Sequence, residues 1–202
     1  MDSPRHLHLV VVKRIIRYVN DTLQRGLCYP TGTSPALHAY CNADYAGCSD
    51  TRRSTNGWCM FVGPTLISWK SKKQDRVSKS STESEYKAMS QACSKVVWLH
   101  GLLSELGFPQ ATPTPLYGDN TSVIHLVVNP SFHERTKHIE VDFHFIRDAF
   151  EDKLISLPQV TSNLQVVDIF TKTFTRPRHQ FLVDKLMLLD TPTSISGGMI
   201  AR

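Results

Sequence analysis

The sequence has little that would indicate a secreted, disulfide-bonded or membrane-bound protein. The apolar run Leu9–Val12 is far too short to span a bilayer, and Lys13 and Arg14 follow it at once. No small-residue cleavage site follows either, so we see no signal peptide and expect an intracellular protein, cytoplasmic or nuclear, without a membrane partner. The five cysteines are odd in number and form no C-x-x-C pair, which supports neither a disulfide framework nor a zinc site.

The composition is that of an ordinary globular chain with a mild excess of positive charge. The 202 residues are 41% hydrophobic and 20% charged, which suits one sizeable domain with appended ends. The sequence contains no internal repeat and no low-complexity tract. The net charge of +5 is compatible with a polyanionic partner but does not establish one.

The first half of the chain predicts one helix and three strands. Apolar residues at helical spacing favour an amphipathic helix over residues 5–20. Strands are predicted at Leu37–Asp44, Gly57–Val62 and Leu66–Lys70, and their short connections imply antiparallel pairing. A basic loop, Lys70–Lys79, comes next. Such a run of charge is usually a solvated surface, but this one borders the site described below, which keeps phosphate binding open.

The second half predicts a strand–helix–strand order. A long helix ends near Leu106, before Gly107 and Pro109. The strand that follows, Thr114–Gly118, should lie parallel to the first strand because a helix connects the two halves of the sheet. The remaining predicted elements are a helix after Asp119 and Asn120, a helix over Thr136–Asp152, a strand over Lys153–Val160 and a short helix opened by Asp168.

One carboxylate lies on the apolar face of the long helix. That face runs in steps of three and four through Met89, Ala92, Val96, Leu99, Leu103 and Leu106, and one step back from Met89 reaches Glu85. A buried carboxylate is unfavourable unless it is paired, protonated or holding a cation. A structural explanation also exists, because Thr82 and Glu85 have the spacing of a capping box, as do Ser80 and Glu83. The helix alone leaves both interpretations of Glu85 open.

Three further acids stand at the ends of predicted elements. Asp44 ends the first strand, Asp119 follows the fourth, and Asp168 opens the last helix. Each has a structural alternative, since Asp44 could be a turn residue and the other two could be helix N-caps. Sites in open α/β sheets gather beyond the carboxyl ends of strands, and parallel first and fourth strands would put Asp44 and Asp119 side by side at such an edge. Clustered carboxylates suit Mg²⁺, and two such ions can promote phosphodiester hydrolysis, although spacing alone does not separate a nuclease from another magnesium-dependent phosphate enzyme.

Several longer motifs point to one family. They are NADYAG at 42–47, DTRRSTNGWCMFVG at 50–63, LISWKSKKQ at 66–74, SSTESEYKA at 80–88, GDN at 118–120, RTKHIEVDFHFIRD at 135–148 and DIFTK at 168–172. Over roughly Arg5 to Leu189, the chain resembles the ribonuclease H domain at the end of the Pol polyprotein of copia-type LTR retrotransposons.

This resemblance implies an α/β ribonuclease H-like fold, with a five-stranded mixed sheet flanked by helices. It implies a segment connecting to the reverse transcriptase at 1–35, the ribonuclease H-like domain at 36–189 and a flexible tail at 190–202. The implied activity is hydrolysis of the RNA strand of RNA–DNA hybrids, with the reverse transcriptase domain as a further partner. Asp44, Glu85 (not Glu83), Asp119 and Asp168 correspond to the catalytic, metal-binding acids, which would hold two Mg²⁺ ions; acceptance of Mn²⁺ is left open.

Contacts to nucleic acid are expected outside the acids. Lys72, Lys73, Arg76 and Lys79 would contact phosphates, Asn120 would contribute beside Asp119, and RNA would be distinguished by its 2′-hydroxyls. The alternative is a catalytically silent nucleic-acid-binding remnant or a repurposed fragment of such a polyprotein.

The chain departs from the family's pattern at a few positions. The loop Gln159–Val167 lacks the mobile histidine that many cellular relatives carry there, and we interpret His138 as structural. Asn42 and Gly118 replace the more common Asp and Cys, and these changes are expected to touch no catalytic position.

Overall fold

The computed structural model describes residues 3–129 and 140–190, and the structural statements below concern these ranges. In chain order the elements are α1 His6–Thr22, β1 Arg25–Leu27, β2 Leu37–Asp44, β3 Thr55–Val62, β4 Thr65–Lys73, α2 Ser81–Glu105, β5 Thr114–Tyr117, α3 Thr121–Val128, α4 Glu140–Glu151, β6 Ile155–Ser156, a 3₁₀ turn Ser162–Leu164, α5 Asp168–Thr171, α6 Arg176–Lys185 and β7 Leu188–Asp190.

The main sheet has five strands in the order β4-β3-β2-β5-β6. Neighbours β4, β3 and β2 pair antiparallel, whereas β5 is parallel to both β2 and β6. The predicted mixed sheet is therefore confirmed, including the parallel pairing of Leu37–Asp44 with the strand at Thr114. Strand β2 lies at the centre of the sheet, and the connection through α2 joins the edge strand β4 to β5 on the other side of β2.

Apolar residues on opposite faces of the strands build two cores. On one face, Trp58 and Met60 of β3 pack under the buried stripe of α2, together with α3 and α4. On the other face, Cys59 and Phe61 of the same strand pack against Val167 and the segments around α5 and α6. The alternation of successive β3 side chains between the two cores follows from the two-residue period of a strand.

Some elements differ from the sequence prediction. Strand β4 continues to Lys73, because its pairing with β3 extends to Thr55, so Lys70, Lys72 and Lys73 lie on a strand and not in a loop. Lysines are well tolerated there, since β4 is an edge strand with its outer side in solvent. Strand β6 is shorter than predicted, and only an isolated bridge between Gly118 and Gln159 continues it beyond Pro158, which has no N–H to donate.

A two-stranded sheet joins β1, the first strand of the chain, to β7, and the sequence did not predict it. Strand β1 pairs antiparallel with β7, so that Gly26 lies opposite Leu189. Helix α6, also not predicted, leads into β7. The N-terminal start of the helix predicted at Thr136 lies outside the described residues, as does His138.

Helix α1 makes little contact with the rest of the fold. None of its residues is buried, and Leu9, Val12, Ile16 and Val19 are all at least 40% exposed. Within residues 3–129 and 140–190, no helix has the length and apolar character needed to cross a membrane.

Candidate active site

Four acidic residues converge at the carboxyl end of β2; we call Asp44, Glu85, Asp119 and Asp168 the acid cluster. Asp44 is the last residue of β2, and Asp119 follows the neighbouring parallel strand, whose Tyr117 lies opposite Tyr40. Glu85 reaches the same place from the first turns of α2, where its Oε2 accepts a hydrogen bond of 3.0 Å from the Ala43 N–H. Asp168, the first residue of α5, is joined to β2 through the Asn42 side chain.

Glu85 does not cap α2. Ser80 is the N-cap, and its Oγ accepts from the Glu83 N–H at 3.1 Å. Glu83 binds Lys87 Nζ at 2.7 Å and the Lys79 N–H at 2.7 Å. Thr82 lies within the helix and not at its cap, so the second capping-box explanation is wrong. The apolar stripe is buried from Met89 to Leu99, whereas Leu106, just beyond the helix, is exposed.

The capping alternatives for the two aspartates are also excluded by geometry. The N-cap of α3 is Asn120, whose Oδ1 accepts from the N–H groups of Ser122 and Val123. The N-cap of α5 is Val167, one residue before Asp168. The carboxylates of Asp119 and Asp168 are therefore not used to begin these helices, while the side-chain oxygen of Asn120 is.

The turn after β2 leaves room for the Asp44 carboxylate. The turn is closed through the backbone, by the Gly47 N–H and the Asp44 carbonyl oxygen at 3.4 Å. A Cβ atom added at residue 47 would lie 1.8 Å from Asp44 Oδ2, far inside any allowed contact. Glycine is therefore required at 47 for this carboxylate to hold its position.

The position of Asp168 depends on the close approach of α5 to the sheet. Gly57 of β3 lies directly beneath it, and a Cβ there would come within 2.7 Å of both Val167 Cγ1 and Thr171 Cγ2. The loop that precedes α5 is held to β2 by the buried Gln165, whose Nε2 donates to the Cys41 carbonyl oxygen at 3.0 Å. These contacts hold the loop before α5 in register with the central strand.

Electrostatics show that the four acids lie close together. Burial is the largest cause that raises the pKa of Asp44 and of Asp119, and repulsion from Asp168 raises both further. Burial, followed by repulsion from Asp119, raises the pKa of Glu85 to about 8, although the Ala43 N–H and the Lys172 ammonium oppose this rise. The cluster thus carries negative charge that the fold compensates only in part.

The types of ligand suit a hard divalent cation, since carboxylate oxygens are what Mg²⁺ prefers. Repulsion among these partly buried carboxylates, which Lys172 compensates only in part, is the second feature that fits a cation. As the side chains stand, no group of three or more His, Cys, Asp or Glu in the described ranges is already arranged to hold a metal ion.

The basic residues border the acid cluster on the side of β4. Lys73 pairs with Thr55, which in turn pairs with Asp44, so the three residues lie in line across three adjacent strands. Lys72, Lys73 and Arg76 line a cavity of about 300 Å³, which Asp75 and Asp142 also line. Lys79, just before α2, is exposed. Of the predicted phosphate-binding residues, the register thus aligns Lys73 with Asp44, whereas Asn120 is the N-cap of α3, directly after Asp119.

Two residues in contact with Asp168 were missed as site residues. Asn42 is buried and donates from Nδ2 to Asp168 Oδ1, so this position directly contacts one of the four predicted site acids. Lys172 forms an ion pair with the same oxygen at 2.8 Å. The i,i+4 spacing of Asp168 and Lys172 was a visible signal for the second contact, whereas nothing local pointed to the first.

Comparison with solved structures identifies the fold of the chain. One solved structure of similar fold, the LC11 ribonuclease H1 in complex with an RNA/DNA hybrid, superposes with a TM-score of 0.51 at 8% identity, over 67% of this chain and 93% of that one. The fold is therefore that of ribonuclease H. No family model matches the sequence.

Sequence relatives identify the family. The Pol polyprotein of transposon RE1 from Arabidopsis thaliana is 39% identical over 96% of this chain, and that of transposon TNT 1-94 from Nicotiana tabacum is 36% identical over 90%. The chain belongs to the retrovirus-related Pol polyproteins of copia-type transposons. It spans only 13% of the length of either relative.

Proposed function

We propose that this chain is a ribonuclease H-type endonuclease that hydrolyses the RNA strand of RNA–DNA hybrids during retrotransposon reverse transcription. The observation that carries this proposal is the convergence of Asp44, Glu85, Asp119 and Asp168, from four separate elements, at the carboxyl end of one central strand. The family of the chain, and the hybrid bound by a solved protein of the same fold, support it.

The acid cluster would hold two Mg²⁺ ions. When bound, these would supply an activated water and a counter-charge for the departing oxygen of the phosphodiester. The chain's own contribution is to hold its carboxylates in place: the Ala43 N–H orients Glu85, Asn42 orients Asp168, and Ser162 Oγ lies 3.3 Å from Asp119 Oδ2. Ligands mounted on a strand end and on helix starts keep their geometry better than ligands on free loops.

The basic edge would bind the hybrid by its backbone. Lys72 and Lys73 at the end of β4, with Arg76 and Lys79 in the following loop, would contact phosphates and position the duplex over the cluster. Asn120 would contribute through its amide NH₂, because its carbonyl oxygen already caps α3. RNA would be selected over DNA by contacts to 2′-hydroxyls, without reading of base sequence.

A reverse transcriptase domain of the same polyprotein would be a partner. Helix α1 exposes a row of large apolar side chains, Leu9, Val12, Ile16 and Val19 among them, and has no buried residue. A contiguous exposed apolar surface of this kind typically marks an interaction site. The relatives' length, about seven-eighths of which lies outside the matching segment, provides the other domains that could cover it.

One observation favours a second candidate, a catalytically silent nucleic-acid-binding module. The Lys172 ammonium already pairs with Asp168, so part of the charge that a metal ion would neutralise is neutralised within the chain. Such a module would bind hybrids through the basic edge of β4 but would not cut them.

The decisive experiment uses a 5′-labelled RNA–DNA hybrid in Mg²⁺ or EDTA. Three proteins are compared: the wild type, Asp44→Asn, and Glu83→Gln as a matched control two residues from Glu85. We expect magnesium-dependent RNA cutting by the wild type and the control, and a loss of at least ~100-fold in Asp44→Asn, because substitution of mere outer-shell partners of a metal already reduces activity about 10–100-fold. Salt-sensitive binding without cutting by folded wild type would refute the nuclease and support the silent module.

A further inference from the structure

Lys172 is the cation that the fold itself places in the acid cluster. It follows α5 directly, and its Nζ lies 2.8 Å from Asp168 Oδ1. The Asp168 side chain is only 7% exposed, so this pair differs from a surface ion pair in full contact with water. The same oxygen also accepts from Asn42, so both of these donors point at one carboxylate atom.

The charge of Lys172 acts on the whole cluster and not on Asp168 alone. Its ammonium lowers the pKa values of Asp44, Glu85 and Asp119 against the opposing effect of burial. For Asp44 and Asp119 it is the largest of the influences that oppose burial. A single positive charge therefore compensates part of the repulsion among four carboxylates.

A divalent cation on the same carboxylates would stand beside this ammonium. Two like charges a few ångströms apart in a partly buried site repel each other more strongly than they would in water. Lys172 has room to move away, since its own side chain is 35% exposed and its stem is flexible. The negative charge of the cluster can therefore be neutralised in two ways, by the Lys172 ammonium or by a bound divalent cation.

We propose that Lys172 is a built-in counter-ion that stabilises the metal-free acid cluster and competes with divalent cations for it. This inference rests on the proposed function, because it requires that the acid cluster bind Mg²⁺. It makes Lys172 a positioning residue that sets the metal concentration at which the site is filled.

The test measures metal binding by thermal unfolding, without any activity assay. Wild type, Lys172→Met and Lys87→Met are unfolded in EDTA and then at increasing MgCl₂, and the Mg²⁺ concentration for half of the rise in Tm is recorded. Lys87 is a matched control, because it forms an i,i+4 pair with Glu83 outside the cluster at 2.7 Å, close to the 2.8 Å of the Lys172 pair. Lys172→Gln serves as a second variant should the methionine variant not fold.

The proposal makes two joint predictions. In EDTA, Lys172→Met should have a lower Tm than Lys87→Met, since it loses the charge that compensates the cluster. In Mg²⁺, its half-point should fall at least about fivefold, the lower end of typical couplings between competing ligands, whereas the half-point of Lys87→Met should stay at the wild-type value.

The unfavourable outcomes are distinct from each other. If Mg²⁺ raises Tm in all three proteins with the same half-point, Lys172 does not compete and the inference is wrong, while the metal site stands. If Mg²⁺ raises Tm in none of them, both the metal site of the proposed function and the inference fail. If the half-point of Lys172→Met rises, Lys172 assists metal binding and the sign of the proposal is wrong.

Discussion

Glu85 offers a sharp test of the electrostatics of the site through the substitution Glu85→Gln in the absence of metal. Its pKa is raised to about 8 from an ordinary 4.5, chiefly by burial and then by repulsion from Asp119. The folded protein therefore holds a proton on Glu85 that the unfolded chain releases between these two pH values. Stability of the metal-free protein should fall as pH rises from about 4.5 to 8, because the folded state binds more protons over that interval.

The magnitude follows from the same pKa values. Each tenfold change in an ionisation constant is worth about 1.4 kcal/mol, so the ionised Glu85 destabilises the metal-free fold by roughly 4–5 kcal/mol above pH 8. Glutamine keeps the shape of the side chain and an oxygen that can accept from the Ala43 N–H. Glu85→Gln should therefore match the wild type near pH 4.5 and exceed it in stability at pH 8.5, by up to this amount.

The assay is urea unfolding in EDTA at several pH values from 4.5 to 8.5, followed by circular dichroism. Glu83→Gln is the control, two residues away on the same helix. Burial tends to raise the pKa of Glu83, but its bonds to Lys87 and to the Lys79 N–H lower it overall. Its contribution to stability is present above the ordinary pKa and lost as the pH falls, so Glu83→Gln should be destabilising at pH 8.5, by on the order of 1 kcal/mol.

The reasoning would be refuted if Glu85→Gln were less stable than the wild type at pH 8.5 in EDTA. Saturating Mg²⁺ adds a further check, since the wild type should then recover stability that the glutamine variant cannot gain to the same extent.

Three further predictions concern the surroundings of the site. Gly47→Ala should displace the Asp44 carboxylate and reduce the Mg²⁺-induced rise in Tm while the protein remains folded; an unchanged rise would contradict the contact at 1.8 Å. Changing both Lys72 and Lys73 to Gln should make the affinity for a hybrid less dependent on salt. In a filter-binding or anisotropy titration, the slope of log affinity against log salt concentration should become shallower by about 1.5–2. An unchanged slope would show that these residues do not contact the hybrid. Ile16→Asp should reduce self-association in sedimentation without lowering Tm, since Ile16 is 53% exposed; a lower Tm would show that α1 packs on the domain.

Much of the site could be predicted from the periodic spacing of apolar residues within single strands and helices. The two-residue alternation of Leu37–Asp44 and the helical stripe through Met89 place Asp44 at a strand end and Glu85 on a buried helix face before any fold is known. The helix between the antiparallel strands and β5 makes β5 parallel to β2, which brings Asp119 beside Asp44. These inferences succeed because a strand or helix period records which face of an element is buried.

Other features depended on the tertiary structure. The extension of β4 to Lys73 is decided by its partner strand, since a run of lysines on its own resembles a loop. The contact of Asn42 with Asp168 joins residues 126 positions apart, and the pairing of β1 with β7 joins the first strand to the last. Contacts between distant segments leave no periodic trace in either segment.

The role of Lys172 could be predicted from the sequence only in part. Its i,i+4 spacing from Asp168 is visible in the sequence and predicts an ion pair on a short helix. The sequence does not show that this helix packs over Gly57, against the central strands, where the same ammonium also faces three other carboxylates. The sequence by itself therefore determined which charged residues are present and how they are spaced within each element. Which charges share one site was decided only by the packing of separate elements, because electrostatic interactions depend on distance in space and not along the chain.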